Sequence, residues 1–381
     1  MERRSKSNKK FMLLSALGIF MVVDHHTWTT FHFFGDYIPY NSFFMPMFVF
    51  ISGYFNKVDS STKLTAYVWK KIKTLLVPFV GISVCVFLLQ QLINWCKVGE
   101  VTPISLWYLK YVLGRIVTVG SFAPIAEPTW FVLALFSVLL IYAVLKKFLY
   151  GLWNSYVALA IFCIVHVLAV YLAKNVLPDS SEYLLLPLKC MFFLPFLEMG
   201  ILYRDHLEKK HESLSGGCKI ALIFGLLLIN AFRTIYLPNA YDVAFDGINE
   251  MAGFTSPYLI TPLVSSVIGI LFWLTLVDLI GKPAYESRFV NFMSCNTFWI
   301  MGFHVVFFNV LNCILLFLIH CGIDLPYFNV EAFQGSEWYY WEISPNVKLL
   351  YLIVGILGPL ALKRLYDRIL LAIGKARNNH G

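Results

Sequence analysis

Three ionisable residues, Asp24, His25 and His26, close an apolar run that begins at Phe11. Ionisable groups are costly inside a membrane span, so their presence there points to function. A neutral histidine takes a proton from a hydroxyl near neutral pH, which is what general-base catalysis on an alcohol requires. Adjacent helical residues point about 100° apart, so only one of His25 and His26 can face a reacting group. Asp24 can orient a histidine or hold a positive charge. After a turn with Gly35, Asp36 and Pro39, a second apolar run closes on Ser52-Gly53-Tyr54. Lys70, Lys71 and Lys73 follow in an inner loop, where ammonium groups suit phosphates and also satisfy ordinary topology. His304 sits far downstream in another apolar run beside Trp299, Phe303, Phe307 and Asn309, either as a hydrogen-bonded packing residue or as a second functional group. Arg115, Glu127 and Arg233 are further polar positions.

Apolar membrane helices must position these residues. Of the 381 residues, 59% are hydrophobic and 14% charged, with mean hydropathy +0.70; a soluble domain carries about 25% charge. One membrane-embedded domain, 1–381, is therefore expected, with a basic N-terminus (1–10) and a basic tail (364–381). Apolar runs place ten spans at about 11–31, 40–56, 74–95, 129–145, 153–173, 183–203, 218–236, 257–280, 290–320 and 347–363, most long enough to cross a bilayer core of about 30 Å. The ninth is long, and either tilts or leaves its outer end in the interface. This arrangement gathers 23 of the 30 Lys and Arg on one side. The positive-inside rule makes that side cytoplasmic, with both termini inside. The fold class expected is an all-α polytopic membrane protein.

The net charge of +8 is accounted for by topology, and no nucleic-acid partner is expected. The basic start followed by an apolar run lacks a small-residue cleavage site, so it reads as a retained first span. No CxxC or Cys/His cluster appears and no metal is expected; Cys96 and Cys321 are the one pair that an outer-side bridge would join. P-loop, GxGxxG, HExxH and GxSxG motifs are absent. Three outer segments exceed plain turns. Residues 96–128 suit an interfacial helix, residues 237–256 carry Asp242, Asp246 and Glu250, and residues 321–346 combine Trp338, Tyr339, Tyr340 and Trp341 with Glu337 and Glu342. Aromatic faces beside carboxylates suit a sugar, though an interfacial aromatic belt has the same composition.

The opening VVxxH, followed by an aromatic-rich MPxFxFxSGY from Met45-Pro46 through Ser52-Gly53-Tyr54, resembles membrane-bound acyltransferase family 3. Pro128-Thr129-Trp130-Phe131 with Leu133 through Leu135, Phe192-Phe193 to Gly200, and Phe298 to His304 resemble its later spans in the same order. The likeness implies His26 as catalytic histidine, with Asp24 and His25 tuning it. It implies Lys70 and Lys73 as the family's paired basic residues for the phosphates of coenzyme A, with Lys71 beside them. His304, Trp130, Ser52 and Tyr54 fall on motif positions expected to line the substrate cavity. The family's Arg or Lys eleven residues before the histidine is Ser15 here, which leaves Lys9 or Lys10 to reach up in its place.

The expected activity is transfer of an acyl group, most simply acetyl, from cytoplasmic acyl-CoA to a hydroxyl of a cell-surface carbohydrate or glycolipid. No bound cofactor is needed, since acyl-CoA is the donor substrate. Membrane lipids surround the chain, and residue usage leans towards a bacterial cell membrane. A transporter or flippase for a sugar or lipid-linked intermediate is the alternative. It shares the spans and aromatic loops but needs no thioester.

Overall fold

The computed structural model describes residues 2–27, 32–35, 38–101, 104–118, 120, 124–176, 182–236, 258–325, 328–336 and 347–378. The acidic segment 237–256 and the aromatic cluster 338–341, with Glu337 and Glu342, lie outside the described residues.

Helices account for nearly all of the described chain. In a lipid core every backbone N–H and C=O must be satisfied within the segment, and helices do so. They are α1 (Glu2–His26), α2 (Phe44–Phe55), α3 (Leu64–Val98), α4 (Leu106–Thr118), α5 (Trp130–Phe148), α6 (Ser155–Asn175) and α7 (Leu185–Ser213). Next come α8 (Gly216–Tyr236), α9 (Thr261–Ile280), α10 (Arg288–Cys295), α11 (Thr297–His320), α12 (Val330–Gly335) and α13 (Lys348–Asn378). Local chemistry sets several boundaries. Asn154 caps α6 by accepting from Tyr156 N and Val157 N, and Ser287 caps α10 through Val290 N. Gly99, at φ 75°, ends α3.

Among the described residues, eight helical segments are long and apolar enough to cross a membrane. The other two expected spans fall on α1 and α2. With 12 residues, α2 is only about 18 Å long, short of the bilayer core. The long ninth span proves to be two helices, α10 and α11, broken at Asn296 (φ −121°). The lysines expected in a loop lie on α3, which starts ten residues before the expected span and carries a π-helical turn over Ile72–Leu76. From Arg364 to Asn378 the basic tail continues α13 without a break. All eight cysteines are free thiols, so Cys96 and Cys321 form no bridge. The expected outer segment 96–128 contains a helix, α4, whose Leu106 and Trp107 are exposed.

Two glycines set the tightest seam. A Cβ on Gly53 of α2 would fall 2.1 Å from Leu197 O of α7, and one on Gly200 would fall 2.1 Å from Phe50 O. Small residues let membrane helices approach to backbone contact. The seam is closed at one end by Tyr54, whose hydroxyl donates to both oxygens of Glu208 at 2.9 and 3.0 Å, and whose ring stacks on Phe11 of α1 at 3.9 Å. Lys10 joins the same cluster, with Nζ 2.9 Å from Glu212 Oε1 and 3.2 Å from the Tyr203 hydroxyl. Lys9 pairs with Glu286. Neither lysine therefore supplies a cation towards the histidines, and Ser15 turns its hydroxyl to Phe11 O at 2.9 Å.

Candidate active site

At its C-terminal end α1 brings its polar residues against three other parts of the chain. His26 Nδ1 lies 2.7 Å from Val22 O, and a carbonyl oxygen can only accept. Nδ1 therefore carries the proton in the neutral ring, and Nε2 is the basic nitrogen. His304 of α11, fully buried, repeats the arrangement: Nδ1 donates to Ile300 O and Met301 O at 3.0 and 2.9 Å. Its Nε2 is buried and has no hydrogen-bond partner among the described residues. The two rings meet edge to face, with centroids 4.9 Å apart. Two imidazole rings, each with Nε2 as its basic nitrogen, are thus held face to edge on two rigid helices.

His25 points elsewhere, as neighbouring helical positions must. Its ring lies 5.6 Å from His32 and 5.8 Å from Phe44 of α2. His25 and His26 are 5.5 Å apart and both half-buried. Of the two, His26 is the one that faces His304.

Asp24 holds a positive charge rather than a histidine. Its Oδ1 is 2.7 Å from Nζ of Lys348, the first residue of α13, and both side chains are fully buried. Oδ2 accepts from the Tyr40 hydroxyl at 2.7 Å and from Phe33 N at 2.9 Å. The end of α1 is closed by Thr27, whose hydroxyl donates to Asp24 O at 2.7 Å and accepts from Lys348. A cation here also complements the C-terminal end of the helix dipole. Burying two charges is tolerable only with this degree of satisfaction. Sequence reasoning missed Lys348, His32 and Tyr40. The available signal for Lys348 was a lone cation in an apolar run on the side with few cations.

The remaining expected site residues are distributed along the helices. Ile82 of α3 packs against Gly302 of α11, where an added Cβ would meet its Cγ2. Lys73, Lys71 and Lys70 precede Ile82 by nine, eleven and twelve residues, which places them about 13 to 18 Å along the helix from the level of Gly302. Lys70 and Lys73 are exposed. Nζ of Lys71 lies over the Tyr67 ring at 5.3 Å and that of Lys73 over Trp69 at 5.1 Å. Ser52 and Tyr54 lie eight and ten residues beyond Phe44, about 12 and 15 Å along α2 from the His25 contact. Tyr54 serves the α2–α7 seam. Trp130 opens α5, buried, with Nζ of Lys189 4.0 Å over its ring and Phe193 alongside at 6.2 Å. Among the described residues, no group of three His, Cys, Asp or Glu side chains could hold a metal ion.

Of the seven Lys and Arg on the expected outer side, four are buried: Lys97, Lys189, Arg233 and Lys348. Lys97 donates to Ser336 O at 2.6 Å, and Arg233 to Asn230 Oδ1 at 2.7 Å. The cations outside the inner clusters are therefore largely internal ties.

Fold and site together define a multi-pass membrane protein with a histidine pair between its first helix and α11. The chain belongs to the acyltransferase domain family, whose sequence model matches residues 11–312. That match is consistent with membrane-bound acyltransferase family 3, and it ends within α11, before Lys348. No curated protein and no solved structure matches the chain.

Proposed function

We propose that this membrane acyltransferase moves an acetyl group from cytoplasmic acetyl-CoA to a hydroxyl of a cell-surface carbohydrate or lipid-linked sugar, in a bacterial cell membrane. The observation that carries the reading is the His26–His304 pair, with Nδ1 of each ring tied to a backbone carbonyl and His26 Nε2 as the basic nitrogen. The acceptor hydroxyl gives its proton to His26 Nε2 as its oxygen attacks the thioester carbonyl. Collapse of the tetrahedral species expels the CoA thiolate, which takes that proton and leaves as the thiol. Acyl-CoA is consumed as a substrate, and no resident cofactor takes part. Lys70, Lys71 and Lys73 take the CoA phosphates in this reading, and an extended pantetheine arm spans the length of α3 that separates them from the histidines.

Transfer of radiolabel from acetyl-CoA by purified protein in nanodiscs, with cell-envelope glycans as acceptor, tests the reading. His26→Ala should lose about 100-fold or more, the typical contribution of a general base, whereas His25→Ala should keep most of the rate. Absence of acetyl-CoA turnover in the wild type, or full activity in His26→Ala, overturns the proposal.

A further inference from the structure

Lys348 lies beyond the stretch matched to the family and is the first residue of α13. Two physical rules argue against a cation there. The N-terminal end of a helix dipole repels positive charge, and a buried ion pair is often no better for stability than apolar residues of the same volume. Yet Nζ is buried against Asp24 Oδ1 at 2.7 Å, with Thr27 Oγ1 as a second partner and Asp24 O at 3.4 Å as a third. An ion pair supplies direction, which apolar packing lacks. This one joins residues 324 positions apart. It fixes the Asp24 carboxylate, which in turn holds Phe33 N and the Tyr40 hydroxyl. Tyr40 stands 5.5 Å from His32, and His32 stands 5.6 Å from His25. The last turn of α1, carrying both histidines, is thus anchored on one side by α13 and on the other by the residues before α2. The favourable C-terminal end of the α1 dipole offsets the unfavourable start of α13, so the distinctive product of this pair is a fixed position for the end of α1 rather than stability.

We propose that Lys348 is a positioning residue of the transfer reaction, holding the end of α1 through Asp24 so that His26 faces His304. This rests on the reading of His26 as the base.

The test uses full-length protein in nanodiscs, with Lys348→Met, Lys348→Arg and the double variant Asp24→Asn/Lys348→Met. The double variant removes both charges, so it avoids the uncompensated buried carboxylate that destabilises Lys348→Met. Per folded molecule, Lys348→Met and the double variant should both lose about 100-fold in kcat, the scale of a 1 Å misplacement, with donor KM unchanged. Lys348→Arg, which keeps the cation, should recover most of the rate. A double variant that regains wild-type kcat along with stability would reduce Lys348 to a neutralising role and overturn the proposal, as would a rise in KM with kcat intact. A second readout is independent of activity: modification of His25 and His26 by diethyl pyrocarbonate, followed by mass spectrometry. Its rate should change in the methionine variants and stay at the wild-type value in Lys348→Arg. Unchanged labelling across all variants overturns the positioning even when the wild type transfers acetyl. An inactive wild type with altered labelling in the methionine variants refutes the base assignment alone.

Discussion

Replacing Gly200 with alanine adds one methyl group at the closest approach of α2 and α7. Its Cβ would lie 2.1 Å from Phe50 O and 2.8 Å from Tyr54 N. Both are backbone atoms, so no rotamer change relieves the overlap. Ordinary contact begins near 3.4 Å, so the helices must part by about 1.3 Å. Overpacking of this kind costs about 1–3 kcal/mol, while alanine recovers at most ~1 kcal/mol in helix propensity, so the net effect is a loss. The same displacement carries α2, and with it Phe44 beside His25; because His25 is not the base, the transfer rate of the folded fraction should stay close to that of the wild type. Gly225→Ala on α8 is the matched control, because nothing lies within 4 Å of its added Cβ. It should be neutral or slightly stabilising. Thermal unfolding in detergent, followed by transfer assays on the folded fraction, measures both effects. Equal unfolding temperatures for the two variants would refute the account of the seam.

Neutralising Lys70 and Lys73 to glutamine should raise the donor KM by roughly fivefold per lysine, the ~1 kcal/mol scale of an exposed charge interaction, with kcat unchanged; steady-state kinetics in varied acetyl-CoA checks this, and a fall in kcat alone would remove the lysines from donor binding. Asp59, between α2 and α3, accepts hydrogen bonds from Ser61 Oγ at 2.7 Å and Thr62 Oγ1 at 2.9 Å, which hold its carboxyl below the ordinary 3.8. A depressed folded value means that the turn's contribution is full above the unfolded value and is lost as pH falls through the folded one. Ser61→Ala should therefore raise the midpoint of a carboxyl-carbon NMR titration of Asp59 towards 3.8, and an unmoved midpoint would discard the turn as the cause.

Much of the architecture was legible because lipid imposes it. Apolar runs long enough to cross the core, interrupted by basic clusters, announce helices and their order, and α5, α6, α8 and α9 lie close to where the runs place them. The misjudged boundaries share a cause. Hydropathy does not register a backbone break such as Asn296, because Phe289, Val290, Phe292 and Met293 before it keep the apolar run going into α11. Nor does it distinguish a helix that runs on past its apolar stretch from a loop, so Lys70 to Lys73 read as loop residues. The shortness of α2 was hidden because apolar Tyr40 and Phe43 before it extend the run.

At the site, sequence determined the residue types and one geometric rule: neighbouring histidines on a helix cannot face the same partner. Which of them meets His304 depends on how α1 and α11 are rotated and spaced, which packing decides. The role of Asp24 was equally beyond the sequence. Its partner Lys348 lies 324 residues away, with no periodicity or spacing to connect them, and the pairing exists only because α13 returns against the end of α1. Sequence by itself determined that this chain enters a membrane as apolar helices with costly polar residues at the end of the first. Only the tertiary structure decided which of those residues face one another, because hydrogen bonds and ion pairs depend on distance in space, and distance along the chain does not set it.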